Sequence, residues 1–418
     1  MNLPPPVVIV GAGLAGLSCA IALYDKGIPF VVVESKDRVG GRVSTDKLQG
    51  FTLDRGFQVL LTAYPECRKM LDYSKLKLNN FTPGAQVFLG GRLHTVADPF
   101  RVPLAVVPTL LSPIGSLADK LKVWVLKEDL IDKPLSDIFS GGETQTREEL
   151  KKLGFSDEFI NRFFTPFFAG IFLESDLTTS SKMFEFIFSM FSQGHAALPA
   201  EGMQAIPEQL VAKIPADSVL LNSKVINVGD DFVELDSGRV LKARAIVVAT
   251  DGPEANKLLK GVPTVESHAV TCLYYEAGEA PIKEPILVLN GEGKGKVNNV
   301  CVPSNVAPSY ANGKTHLVSV SVLGNPFSDD QAADAEVKTE LQQWFGKDAA
   351  TWRLLRIYRI VNALPDQKPP KLEKAQRDVQ LQKGLFVCGD HRDNGSINGA
   401  LVSGKRAAEA VIAELTAS

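Results

Sequence analysis

The sequence predicts an α/β protein of two domains: a Rossmann-like domain assembled from separated pieces of chain, and an α+β domain inserted between them. Three observations predict this. A strand–turn–helix–strand run with a G-x-G-x-x-G turn stands at the start of the chain. Two distant segments, 222–250 and 384–415, carry short apolar runs of the same kind. The stretches between these pieces differ in character, the first helical and rich in phenylalanine, the second β-like. The expected division is 1–75, 200–255 and 351–418 for the Rossmann-like domain, with 76–199 and 256–350 for the inserted one.

The opening run is "VVIVGAGLAGLSCAIALYDKGIPFVVVESK". Val7–Val10 is a short β-branched run of the kind that fills a fully buried parallel strand. Leu14, Leu17, Ala20, Ile21 and Leu23 then recur at helical spacing, Gly27 stops the helix and Pro29 follows it. Phe30–Val33 is a second apolar strand. In 222–250, turns at Gly229–Asp231 and Asp236–Gly238 separate short strands that end in a buried one, Ala245–Ala249. In 384–415, a strand leads through a Gly/Asp/Asn-rich loop into a C-terminal amphipathic helix. The β-like runs "HAVTCLYYEAG" and "THLVSVSVLG" belong to the inserted domain.

Composition excludes several functions. At 418 residues, the chain is long enough for two or three domains of roughly 150 residues. A net charge of −3 and a pI near 6.1 do not supply the basic surface that nucleic-acid binding needs. Cys19, Cys67, Cys272, Cys301 and Cys388 are odd in number and lack a C-x-x-C, which argues against a disulfide framework or zinc site and for an intracellular, reducing compartment. The five histidines show no metal-ligand spacing. "MNLPPPVVIV" has neither the charged and apolar regions of a signal peptide nor the Arg/Ser bias of a transit peptide, so a plastid location would require a leader already removed. The longest uncharged run, Val102 to Ala118, is broken by Pro103, Pro108 and Pro113 and is too short to span a membrane.

The turn Gly11-x-Gly13-x-x-Gly16 lies between a strand and a helix, the context that gives this motif meaning. Gly11 allows the tight turn, Gly13 lets a diphosphate approach the backbone, and Gly16 lets helix and strand pack closely. The helix N-terminus adds free N–H groups that favour negative charge. Glu34 follows 18 residues after Gly16, at the end of the second strand, where a carboxylate can accept bonds from ribose hydroxyls. A dinucleotide is therefore expected. Directly afterwards comes Arg38-Val39-Gly40-Gly41-Arg42, which a plain nicotinamide site does not need. Its glycines permit close backbone approach, and Arg42 can bond phosphate oxygens in a fork.

Glu34-x-x-Asp37-Arg38-x-Gly40-Gly41-Arg42 after G-x-G-x-x-G resembles the flavin-containing amine oxidase superfamily, which includes monoamine and polyamine oxidases, protoporphyrinogen oxidase and the phytoene desaturases. The resemblance implies a two-domain flavoprotein and FAD as cofactor, with Ser35 and Gly41 counted among its contacts. "FTLDRGFQ" (51–58) resembles the family stretch in which the chain at Gly56 and Phe57 passes the flavin ring. Val225 in "SKVINV" resembles the valine that brackets the adenine. "FVCGDHRDNGSINGALVSGKRAA" resembles the C-terminal flavin motif, which implies that Asp390 bonds the ribityl chain and that a helix from about Ile397 points its N-terminus at the flavin.

Departures from the family pattern narrow the substrate. The run "DNGSINGAL" has Ser396 and no aromatic residue where amine oxidases carry part of an aromatic cage. No cysteine is placed for a covalent flavin link, and Cys388 reads as a small core residue. Lys294 and Lys296 read as surface lysines. The C-terminal motif is closer to the phytoene-desaturase branch. Between Phe155 and Gly194 stand half of the 22 phenylalanines. Phe159, Phe163 and Phe167, or Phe164 and Phe168, share helix faces, as do Phe184, Phe188 and Phe191. Such stripes usually build an ordinary core, and they can also wall a cavity or dock on lipid. The expectation is an FAD-dependent oxidoreductase passing a hydride to flavin N5 from a hydrophobic small molecule such as an isoprenoid or carotenoid. Oxygen or a quinone is the expected electron acceptor, and the protein is soluble or in peripheral contact with a membrane. A flavin-dependent isomerase, an amine oxidase and a non-catalytic flavin-binding protein are the alternatives. No general base is assigned, and His391 is the histidine nearest the flavin motif in sequence.

Overall fold

In the computed structural model, residues 4–97, 101–102 and 105–417 are described. Val7–Val10 (β1) forms the fully buried strand its composition predicts, followed by the helix Leu14–Asp25 (α1) and the strand Phe30–Val33 (β2). A six-stranded sheet runs in the order Val219–Leu220, β2, β1, Ala245–Val248, Leu385–Val387, Gln380–Gln382. Every neighbouring pair in it is parallel except the last. Both faces of β1 are covered. Val7 and Ile9 face the core that holds α1 and the C-terminal helix Ile397–Ala417, while Val8 and Val10 face a second core holding Val225, Val233 and Ala255. That two-residue alternation is the strand period, and burial on both sides is why the run contains no polar residue.

The other large sheet has seven strands, in the order Arg353–Pro365, Ser267–Ala277, His316–Leu323, Val297–Cys301, Leu287–Asn290, Gly84–Leu89, Arg92–Ala97. The expected domain boundary at 351 does not coincide with this division. Arg353–Pro365 pairs antiparallel with Ser267–Ala277 and so belongs to the sheet of the inserted segments. It is an edge strand, and Arg353, Arg356 and Arg359 make it read as polar in sequence; charged edge residues also discourage pairing with a further strand. The boundaries at 75 and 199 are crossed as well, because Leu60–Leu61 and Asn79–Asn80 both pair with Ala196–Leu198.

The phenylalanine-rich segment is helical from Asp157 to Phe172 and again over Ser181–Gln193. Ile160–Phe164 widens into a π turn, in which the Thr165 amide reaches back to the Ile160 carbonyl. The cause is Pro166, whose missing N–H and bulky ring oppose a regular bond to residue 162. Among the described residues, no helix is long and apolar enough to cross a membrane. Of the run Val102–Ala118, residues 103 and 104 lie outside the description.

Candidate functional site

The nucleotide turn is built at the C-terminal edge of the six-stranded sheet. Gly11 has φ +108°, and a side chain there would press on the Ala249 carbonyl at 3.0 Å. A Cβ on Gly16 would stand 2.0 Å from the Gly11 carbonyl oxygen, so this glycine sets the contact between turn and helix. Gly13 is different: a Cβ there would meet no atom within 4 Å, which leaves open space beside the backbone. Glu34 lies at the end of β2, buried, and accepts bonds from the Ala12 amide (2.8 Å), the Lys36 amide (2.9 Å) and the Ser35 hydroxyl (3.1 Å). The Ser223 amide donates to the Glu34 carbonyl at 2.8 Å, which brings Val225 to this end of the site.

The Gly40-Gly41-Arg42 stretch folds back over that turn. The Gly40 amide donates to the Ala12 carbonyl at 2.8 Å, and a Cβ on Gly41 would lie 3.3 Å from the Gly13 Cα. Both glycines have positive φ, so the close approach and the backbone conformation together require them. Arg42 then leaves the turn and meets residues far away in sequence. Its guanidinium donates to Asp390 Oδ1 at 2.7 Å and to the Ala363 carbonyl at 3.1 Å. Gln58 donates to the Arg42 carbonyl at 2.8 Å, which anchors Gly56 and Phe57 next to the same arginine.

Asp390 begins a short turn before the C-terminal helix, which starts at Ile397. Two residues of the "SGK" run hold this arrangement, a role the sequence reading did not give them. Ser403 Oγ accepts from the Gly389 amide at 3.1 Å, and a Cβ on Gly404 would lie 2.0 Å from the Ala15 carbonyl, so this helix crosses α1 at close range. His391 is buried beside the pair, and neither ring nitrogen has a hydrogen-bond partner among the described residues. Burial, reinforced by Arg392, Arg42 and Arg377 against the pull of Asp390, lowers its pKa to about 4 and leaves the ring neutral. Cys388 is wholly buried, and burial pushes its thiol up to about 12, which suits a core residue and not a flavin link.

Phe57 also lines a cavity of about 700 Å³ that runs into the inserted segments. Its wall is overwhelmingly apolar, with Phe159, Phe163, Phe164, Phe167, Phe188 and Phe191 on one side. Phe159 and Phe163 stack at 5.2 Å and Phe163 and Phe167 at 5.9 Å, as one helix face should. Phe164 and Phe168 share a face too, 6.2 Å apart. They are at most 1% exposed, so they are core pillars as much as wall. The charged residues on the wall are Arg101, Lys120 and Lys127, with no carboxylate among the described lining residues. Arg101 donates to the His195 ring (2.8 Å) and to the Phe191 carbonyl (3.0 Å). Partial burial and the neighbouring Arg101 both lower the His195 pKa below its ordinary value. Asn299 is a further polar lining residue; it is buried, and its Oδ1 has no partner among the described residues. Arg101, His195 and Asn299 carry no motif, and their convergence depends on elements about 90 to 200 residues apart. Lys296 pairs with Glu336 on the outside of the seven-stranded sheet's helix Asp330–Phe345.

A parallel sheet with this turn, an acidic residue after its second strand and a long-range Arg–Asp pair define a dinucleotide-dependent oxidoreductase fold with a separate apolar cavity. The family model of flavin containing amine oxidoreductases matches residues 14–412, and the chain belongs to that family. It is 21% identical over 487 aligned residues to protoporphyrinogen oxidase 2, chloroplastic/mitochondrial, of Arabidopsis thaliana, covering 98% of this chain and 94% of that protein. Among solved structures, putrescine oxidase bound to putrescine has a TM-score of 0.71 at 16% identity, covering 98% of this chain and 99% of that one. Cyclohexylamine oxidase from Brevibacterium oxydans IH-35A has a TM-score of 0.69 at 20% identity, covering 99% and 100%. The protein is an FAD-dependent oxidoreductase of the two-domain fold shared by these relatives.

The residues present fit FAD. The open space at Gly13 leaves room for a diphosphate, Gly41 closes over the same turn, and the neutral His391 ring offers unused hydrogen-bonding capacity beside Arg42 and Asp390.

Proposed function

We propose that the enzyme dehydrogenates a large lipophilic molecule of isoprenoid, carotenoid or tetrapyrrole type, preferring one that carries acidic groups. The observation that supports this reading is the cavity: a phenylalanine wall beginning at Phe57, with cationic side chains and no carboxylate among its described lining residues. An apolar body gains from leaving water on such a wall. An acid group is attracted by the positive charge of Arg101, Lys120 and Lys127, whereas a protonated amine meets like charge on these residues. The relative from Arabidopsis is named for a porphyrinogen, a tetrapyrrole bearing carboxylates, and that chemistry suits the lining better than putrescine does.

In this reading, Gly11, Gly13, Gly16 and Gly41 hold the FAD diphosphate, with Glu34 and Ser35 at the ribose and Val225 at the adenine. Arg42 and Asp390 hold the ribityl-diphosphate stretch, and Gly56, Phe57 and the helix from Ile397 bound the ring. FAD, when bound, supplies the acceptor for a hydride from substrate C–H or N–H, and the electrons pass on to oxygen or a quinone. The protein's part is to orient the substrate on the phenylalanine wall and to exclude water.

Anaerobic mixing of the holoprotein with a panel of compounds tests the reading. A carboxylated porphyrinogen or an acidic polyene should bleach the flavin absorbance, and a neutral isoprenoid should do so more slowly. Putrescine and cyclohexylamine should leave it unchanged. Rapid bleaching by a simple amine would return the protein to amine oxidation.

A further inference from the structure

One surface of the molecule is not accounted for by catalysis. Among the described residues, thirteen large hydrophobic side chains are exposed, and seven of them fall between Val107 and Val125. Leu111 and Leu121 are 79% and 65% exposed. These residues occupy the helices Val106–Leu111 and Leu117–Ile131. On the second helix, Leu117, Leu121, Trp124 and Val125 follow at helical spacing and form one outward face, while Leu126 and Leu130 are buried on the inward one against Ser181–Gln193. A contiguous exposed apolar patch of this kind marks an interaction site.

Two further observations identify the partner. First, the charge around the patch is positive although the chain as a whole is at −3. From Arg101 to Ile131 the basic residues are Arg101, Lys120, Lys122 and Lys127, against the exposed acids Glu128 and Asp129, while the third acid, Asp119, is buried and bonded to Ser116 and Ser156. Second, Leu110, Leu117, Leu121 and Trp124 are exposed and also line the cavity, so the apolar surface continues into it, flanked by Lys120 and Lys127. A second copy of the chain docked by two-fold symmetry would set these lysines against themselves. An anionic lipid surface meets them with opposite charge and offers the apolar side chains an apolar layer.

We propose that this face docks on an anionic lipid bilayer at headgroup depth and that the cavity opens into the bilayer, so that lipophilic molecules enter without crossing water. Trp124 provides the readout. Trp344 and Trp352 are buried, so a change in tryptophan emission on adding vesicles reports Trp124. Holoprotein should co-sediment with phosphatidylcholine vesicles containing phosphatidylglycerol, more weakly with phosphatidylcholine alone, and less as salt is raised. Its emission should shift to the blue and be quenched by brominated acyl chains. The double variant Leu111→Ser/Leu121→Ser changes two exposed side chains; it should retain FAD and the wild-type melting temperature while losing at least tenfold in vesicle partitioning. Absence of vesicle binding by the wild type overturns the proposal, as does undiminished binding by the variant. A wild-type dimer dissociated by the same variant would assign the face to a second copy instead. These readouts involve no turnover, so they stand or fall separately from the substrate reading.

Discussion

Gly13→Ala separates the cofactor site from the fold more cleanly than any charge change. Gly13 sits at φ −70°, ψ 178°, an extended conformation that alanine adopts freely, and its added Cβ would meet no atom within 4 Å. Reducing the freedom of the unfolded chain favours alanine by about 0.4–1 kcal/mol. Loss of glycine at this helix N-cap costs about as much in the other direction. The apoprotein should therefore keep its stability to within about 1 kcal/mol. If a diphosphate occupies the open space, the methyl group collides with it. A 100-fold loss of FAD affinity would remove about 2.7 kcal/mol of ligand-linked stability at a fixed FAD concentration. Thermal unfolding with and without FAD, alongside a fluorescence titration, reads both quantities. Gly16→Ala is the contrast: its Cβ would stand 2.0 Å from the Gly11 carbonyl oxygen, so the apoprotein itself should be damaged. Wild-type FAD affinity in Gly13→Ala would falsify the placement of the diphosphate at this turn.

Three other predictions follow from named contacts. Arg42→Ala leaves Asp390 without its cationic partner and should weaken FAD retention by about 1.5–3 kcal/mol, measured as FAD loss on dilution; Glu34→Ala should weaken it by a comparable amount. Phe163→Ala and Phe167→Ala alter half-buried wall residues, so lipophilic ligand binding should fall while FAD stays bound; Phe164→Ser and Phe168→Ser remove core rings and should cost about 3–5 kcal/mol of stability, which a melting curve would show first. Burial raises the Asp54 carboxyl to about 6, outweighing the bonds from Thr45, Met203 and Tyr310. Its folded pKa is above the ordinary 3.8, so its contribution to stability is complete below that value and is lost as pH rises through about 6. Asp54→Asn should flatten the stability slope between those pH values by about 3 kcal/mol in urea titrations; an unchanged slope would show that the carboxyl titrates normally.

The parts legible in the sequence are those fixed by near neighbours in the chain. β1, the nucleotide turn and α1 are contiguous, so a β-branched run, three glycines and a helical period suffice to place them. The acidic residue after β2 and the Gly40-Gly41 pair lie within 30 residues of the turn they touch, and their spacing is itself the signal. The two-domain flavoprotein class follows from those motifs.

Pairings across long separations were decided only by the tertiary structure. Arg42 meets Asp390 across 348 residues, and no local pattern says that the guanidinium pairs with a carboxylate there. Arg353–Pro365 joins the seven-stranded sheet because its backbone bonds find Ser267–Ala277, a match that its arginine-punctuated surface does not advertise. Local spacing grouped the phenylalanines into faces, yet which face packs as core and which bounds a cavity depends on the helices placed opposite. The same holds for Leu117–Ile131, whose two apolar faces are alike in sequence. One is covered by Ser181–Gln193, and the other stays largely exposed at Leu117, Leu121 and Val125.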